Sequence, residues 1–233
     1  MRSGIEYYSD LKISADGKHL YGTYFGYYGS PSVTVLDITP AGTVGYNSAI
    51  GVGPVWDHDA MQSEFTNNTY NVALSPDGRR MYVTYGVTTV ATGTGGHTSA
   101  SFITDAQGRT WMITGGYSAV GVIDIDPATG RGTEVARIAV PAGTQDVAVS
   151  PDGNTIYMTS WDGKSVTMIN TATNAITGGF TTDVTPATSA RSLTFYGEGY
   201  FTRFVAVGPN GTVYVTDYDD GKLYATTVGS TAV

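Results

Sequence analysis

The stretch Asp146-Val147-Ala148-Val149-Ser150-Pro151-Asp152-Gly153-Asn154-Thr155-Ile156-Tyr157-Met158-Thr159 decides the fold. Two short runs of alternating, β-favouring residues flank a Pro-Asp-Gly turn. Proline presets φ, aspartate caps the turn through its side chain, and glycine takes the left-handed position. That pattern predicts a β-hairpin. The same frame returns as Asn71 to Thr84 around Pro76-Asp77-Gly78, as Asp10 to Thr23 around Ala15-Asp16-Gly17, and as Phe204 to Thr216 around Pro209-Asn210-Gly211. Four copies in register mark a repeat protein.

A third strand follows each pair: Val33 to Ile38, Val120 to Ile125, Val166 to Asn170 and Lys222 to Thr227. A fourth is readable in three copies, near Thr43 to Val52, Glu134 to Val140 and Ala175 to Thr181. Four-stranded meanders repeating along a chain predict an all-β fold, a β-propeller or partial propeller of about four blades. The run Val147 to Thr159 with Val166 to Asn170, and its counterparts, resembles the YVTN family of β-propellers found in surface-layer and other cell-envelope proteins. The resemblance covers most of the chain and implies fold and an extracytoplasmic setting. Its motif is made of turn and strand residues, so it carries over no catalytic residue.

The spacing is uneven. The turn glycines Gly17, Gly78, Gly153 and Gly211 lie 61, 75 and 58 positions apart. A weaker hairpin, Phe102 to Thr114, falls between copies two and three; only 30 positions separate Gly78 from Gly108. That is tight for four strands, which favours an insert in the second blade over a fifth blade. The fourth copy has no room for a complete last strand, and Ser3 to Tyr8 is the one candidate to complete it. The chain therefore reads as one propeller domain over 1–233, either whole or cut from a longer repeat protein.

Composition bounds the rest. With 41% hydrophobic residues a chain of 233 residues can bury a core of its own. There is no cysteine, which removes disulfides and thiolate chemistry. The net charge of −8, with no basic cluster beyond Arg79-Arg80, disfavours nucleic acid. The longest apolar runs are strand-length, so no transmembrane segment is predicted.

In a meander, loops joining strands one to two and three to four share one face, and these turns are short. The long segments, Tyr24 to Pro31, Gly53 to Thr69, Gly86 to Ala119 and Asp183 to Phe201, all fall on the other face. Long loops on a rigid scaffold concentrate binding residues. Candidate ligand contacts there are the aromatic loop residues Tyr24, Tyr27 and Tyr28, the group Trp56, Asp57, His58 and Asp59, and the polar residues Arg191, Tyr196 and Arg203. Tyrosines serve protein or carbohydrate partners, but they also pack between blades. His58 with its flanking carboxylates fits acid–base or metal chemistry; the plainer reading is a solvated loop in which Asp57 caps a helical turn over Ala60 to Phe65. Asp217 to Gly221 superficially resembles a calcium loop, yet it lacks the later glutamate, and a strand-to-strand turn explains it. No cofactor is expected. His19 and His97 read as surface histidines.

Enzyme signatures are missing. Gly116 to Gly121 misses a nucleophile elbow by one position, and Gly93, Gly95 and Gly96 precede neither a helix nor a P-loop lysine. The sequence thus favours a non-enzymatic extracytoplasmic binding or scaffold propeller. The alternatives are a hydrolase or lyase with its site at the channel mouth near Asp57-His58-Asp59, and a purely structural repeat of a larger surface protein.

Overall fold

The structure is a computed structural model and describes residues 8–24, 32–54, 64–92, 102–104, 110–140, 144–160, 165–181, 204–217 and 222–227. Those residues form sixteen strands in four antiparallel sheets, divided between two compact units, Met1–Thr144 and Gln145–Val233. The sheets have the meander order of propeller blades, and the chain is an all-β, propeller-type repeat protein.

In the first unit, blade 1 is β1 (Tyr8–Ile13), β2 (His19–Tyr24), β3 (Ser32–Ile38) and β4 (Val44–Gly51) in sequential order. Tyr8 pairs with Tyr24 inside this blade. It is therefore the start of β1 and not part of a free closing strand; the rest of Ser3 to Tyr8 lies outside the described residues. Blade 2 contains β5 (Glu64–Leu74), β6 (Arg80–Thr92), β7 (Phe102–Thr104), β8 (Thr110–Ile125) and β9 (Gly132–Val140). β9 lies along the later part of β8, from Ser118↔Val140 to Ile125↔Gly132, while β7 lies along its start, from Phe102↔Met112 to Thr104↔Thr110. The weak hairpin is thus an insert that lengthens blade 2, as its spacing predicts.

Two expectations need correcting here. Gly86 to Ala119 is not a long loop throughout, because β6 and β8 stay paired from Gly86↔Ser118 out to Thr92↔Trp111. β-branched Val87, Thr88, Thr89 and Val90 favour extended backbone there. Likewise Glu64 and Phe65 pair with Thr89 and Thr88 in β5, so no helical turn extends to Phe65.

In the second unit, blade 3 is β10 (Thr144–Val149, its first residue at the unit boundary), β11 (Thr155–Ser160), β12 (Ser165–Asn170) and β13 (Ala175–Thr181). Among the described residues blade 4 has β14 (Val205–Val207), β15 (Thr212–Asp217) and β16 (Lys222–Thr227). In blades 1, 2 and 3 the register between third and fourth strands slips at the same repeat position, between Val35/Leu36, Val122/Ile123 and Met168/Ile169. A shared bulge bends each outer strand in the same way.

The repeated turn explains the repeated motif. Ser14, Ser75 and Ser150 each donate from Oγ to the turn aspartate two residues on, and accept from the backbone N–H five residues on at 2.9 Å. The same aspartates, Asp16, Asp77 and Asp152, accept the N–H of Lys18, Arg79 and Asn154 at 3.0–3.1 Å. Gly17, Gly78, Gly153 and Gly211 then close the turn at φ between 68° and 78°, a conformation that costs glycine little and other residues more. In copy four Gly208 replaces the serine, and Asn210 keeps only the backbone bond, to Thr212 N–H at 3.1 Å.

Within each unit the first blade turns a forward face toward the second, and the second turns a rear face toward the first. In the first unit the forward face of blade 1 (Tyr21, Val33, Val35) packs on the rear face of blade 2 (Val72, Met81, Val83, Tyr85, Ile123). In the second, Tyr157 and Val166 of blade 3 pack on Val205, Val213 and Val215 of blade 4. Both seams carry the same polar tie. Asp10 accepts the N–H of Leu11 at 2.8 Å and of Val72, across the seam, at 3.1 Å. Asp146, in the equivalent place, accepts Val147 N–H and, across its seam, Val205 N–H, both at 2.8 Å. The threonine closing the second strand also repeats: Thr84, Thr159 and Thr216 accept the N–H of Asn71, Asp146 and Phe204 at 3.0, 3.3 and 2.9 Å. A buried backbone N–H must find an acceptor, which accounts for the aspartate and threonine of the motif in terms of packing alone.

Candidate functional site

Of the candidate contacts, Tyr24 is described only as the backbone end of β2, opposite Tyr8. Tyr27, Tyr28, Trp56, Asp57, His58, Asp59, Arg191, Tyr196 and Arg203 lie outside the described residues, as do His97 and the turn 218–221. What the structure does describe is the root of the segment carrying Trp56 to Asp59. Gly53, just after β4, donates its N–H to Glu134 Oε2 on β9 at 2.7 Å. The other oxygen, Glu134 Oε1, accepts from the fully buried Tyr85 hydroxyl at 2.6 Å, and Arg137 Nε donates to that hydroxyl at 2.9 Å. Burial, then the neighbouring Glu134 carboxylate, push the Tyr85 phenol far above its ordinary pKa. It stays a neutral donor at any physiological pH. This cluster spans the seam between blades 1 and 2 and fixes where the candidate segment leaves the scaffold.

An open cleft lies at the other end of that seam, among the short turns. It has a volume of about 780 Å³ and is lined by Asp16, Lys18, His19, Asp37, Asn47 and Arg131, among others. His19 is the surprise. It is only 6% exposed, not a surface histidine, because the β8–β9 turn closes over it: a Cβ added to Gly130 would lie 2.8 Å from the imidazole. Gly130 also sits at φ 68°, so the position suits glycine twice over.

His19 Nδ1 is 2.9 Å from Asp37 Oδ1, which also accepts Asn47 Nδ2 at 2.7 Å. Those two contacts, Asn47 first, hold the Asp37 carboxyl below its usual range. Asp37 is therefore ionised at neutral pH and accepts from Nδ1. Nε2 is closed off from solvent and has no hydrogen-bond partner. A general base must reach the proton it removes, so this pair does no acid–base chemistry as arranged. The matching rung of blade 2, Arg80 with Asp124 at 3.2 Å, shows the pair to be a cross-strand contact of the repeat. Asn47 extends it across the seam, donating to Thr129 carbonyl at 3.1 Å. Lys18 and Arg131 remain exposed at the rim.

Among the described residues no three histidine or carboxylate side chains are grouped to hold a metal ion, and no helix is long and apolar enough to cross a membrane.

Comparison with known proteins bears on the fold. No protein-family model and no curated protein matches the chain. Among solved structures it is similar to hydrazine synthase of Kuenenia stuttgartiensis, with TM-score 0.59 and 17% identity over 94% of this chain and 58% of that one. It is also similar to an auxiliary nutrient binding protein from Bacteroides thetaiotaomicron (TM-score 0.48, 12% identity, 96% of this chain, 41% of that one). The RRP9 WD40 repeats match with TM-score 0.46 and 12% identity over 97% of this chain and 52% of that one. The chain thus spans less than two thirds of each of these structures, and at such identities the likeness is one of fold.

Proposed function

We propose that this protein is a non-enzymatic binding or scaffold module of the propeller type, working outside the cytoplasm and recognising a protein or carbohydrate ligand with its long connections. The observation that carries this reading is the division of labour between the two ends of the blades. At the short-turn end, serine, aspartate and backbone groups are consumed by the turns themselves, and the one histidine is sealed. The long connections leave from the opposite end, where the Glu134–Tyr85–Arg137 cluster anchors the segment that carries Trp56, Asp57, His58 and Asp59. The YVTN-like repeat supports an extracytoplasmic setting, and the reading invokes no cofactor.

The test uses an array of bacterial cell-wall glycans and surface-protein fragments, probed with the wild-type chain and with Trp56→Ala/His58→Ala and Lys18→Ala/Arg131→Ala variants. Binding lost in the first variant and kept in the second is the expected result. Hydrolysis or elimination of any array member, abolished by His58→Ala, would replace this reading with the enzymatic one. Binding abolished only by the second variant would move the site to the short-turn cleft.

A further inference from the structure

Arg137, on β9, is an exposed cation built into the scaffold. Its Nε donates to the Tyr85 hydroxyl at 2.9 Å, and Tyr117 makes a second hydrogen bond to its side chain. Tyr85 is fully buried and Tyr117 packs against the core of the seam, so packing sets where both partners hold it. Gly121, opposite Arg137 in the β8–β9 ladder, makes the room: a Cβ there would lie 2.9 Å from both Glu134 Oε1 and Tyr85 Cε1. Glu134 does not neutralise the guanidinium. Its two oxygens are taken by the Tyr85 hydroxyl and the Gly53 N–H, and no carboxylate among the described residues forms an ion pair with Arg137. A guanidinium carries five N–H donors in a planar fork. The two tyrosine contacts leave enough of them for a bidentate carboxylate.

We infer that Arg137 is the acid-recognising residue of the site at the long connections, and that the ligand is an acidic saccharide whose carboxylate it takes. The inference rests on the binding-module reading above and narrows it. Its place in the fold supports it. The Gly53 N–H sits on Glu134, and Trp56 follows three residues later, so covalent geometry alone keeps those two Cα atoms within about 11 Å of each other. An indole has an apolar face and a polar N–H edge, which suit the C–H face and the hydroxyls of a pyranose ring. A guanidinium fixed on the cluster that anchors the same segment suits the carboxylate of a hexuronic acid. An acidic peptide offers the same charge but no rigid C–H face for the indole. The chain's net charge of −8 gives an acidic ligand no general attraction, so its recognition falls to a local cation.

Oligosaccharides of galacturonic, glucuronic and mannuronic acid, each beside its methyl ester, are titrated into the wild-type chain by calorimetry. The ester keeps the ring and its hydroxyls and loses only the charge. At least one free acid is expected to bind about ten-fold tighter than its ester, or more. Trp56→Ala should weaken acid and ester alike. Arg137→Gln should bring the acid down to the affinity of the ester while ester binding holds, which a merely loosened fold would not do. Arg137→Lys keeps the charge without the fork; it should fall between the two, and it serves if the glutamine variant does not fold. A wild-type chain that prefers no acid to its ester, or a preference that survives Arg137→Gln, overturns the inference and leaves the binding-module reading standing. Binding of acidic peptides alone, lost in Arg137→Gln, overturns the saccharide assignment. A chain that binds no glycan and no surface-protein fragment overturns both readings.

Discussion

Removing Glu134 should loosen the seam between blades 1 and 2 and release the segment that carries the candidate ligand contacts. In Glu134→Ala, the Tyr85 hydroxyl loses its acceptor at 2.6 Å and the Gly53 N–H loses its acceptor at 2.7 Å. A hydrogen bond to a charged group contributes roughly 1.5–3 kcal/mol, and a donor left unsatisfied costs about 1–3 kcal/mol. Glu134 is only partly buried and water can reach part of the vacated space, so the two losses together should come to about 2–4 kcal/mol. Tyr85→Phe removes two bonds, to Glu134 Oε1 and from Arg137 Nε, but strands no backbone donor, so about 1–2 kcal/mol is expected. The residues touch, so their effects should not add; a double-mutant cycle should return a coupling of roughly 1 kcal/mol or more. Urea unfolding followed by tryptophan fluorescence measures all three, and an unchanged m-value certifies that stability alone has moved. A Glu134→Ala cost under about 0.5 kcal/mol, within the range of an ordinary surface substitution, would refute the assignment of this cluster as the anchor.

The turn aspartates should make stability fall in acid. Their serine partners hold the carboxyls of Asp16, Asp77 and Asp152 below the usual value. A carboxyl whose folded pKa is depressed stabilises the fold above its unfolded value of about 4, and that stability is lost as pH falls through the folded pKa. Asp77→Asn, which copies the natural Asn210, should therefore flatten the acid limb of a stability-versus-pH curve; an unaltered limb would argue against the serine–aspartate contact. Gly130→Ala should cost about 1–3 kcal/mol, from the left-handed backbone and the contact with His19, read as a drop in the urea midpoint. The paired variant Gly130→Ala/His19→Ala should recover part of that loss, and no recovery would mean that the ring is not what Gly130 accommodates.

Much of the fold could be read from residue types whose local geometry is demanding. Pro-Asp-Gly and Ala-Asp-Gly admit few backbone paths, so four turns, their flanking strands and the inserted hairpin were all legible. What escaped was set by contacts distant in sequence. His19 follows an exposed turn and looked solvent-facing; its burial depends on Gly130, more than a hundred positions away. The anchoring cluster is likewise invisible, since Tyr85, Glu134 and Gly53 share no spacing rule. The extension of β6 and β8 is different, because a signal existed. Val87 to Val90 is a β-branched run that favours a strand, although glycine and threonine crowd around it. For the candidate site, the structure adds only the root of the Trp56 to Asp59 segment, held at Gly53.

The seam is the claim on which the rest stands, and backbone amide exchange tests it at two atoms. Val72 and Val205 should exchange slowly, at rates tracking the opening of their own unit, because each N–H is held by an aspartate of the neighbouring blade, Asp10 or Asp146. Replacing that aspartate with alanine should speed exchange at the facing valine more than at the middle of β2 or β11. Fast exchange of both amides in the wild-type chain would contradict the account, since blades not joined in this way could not share the repeated core.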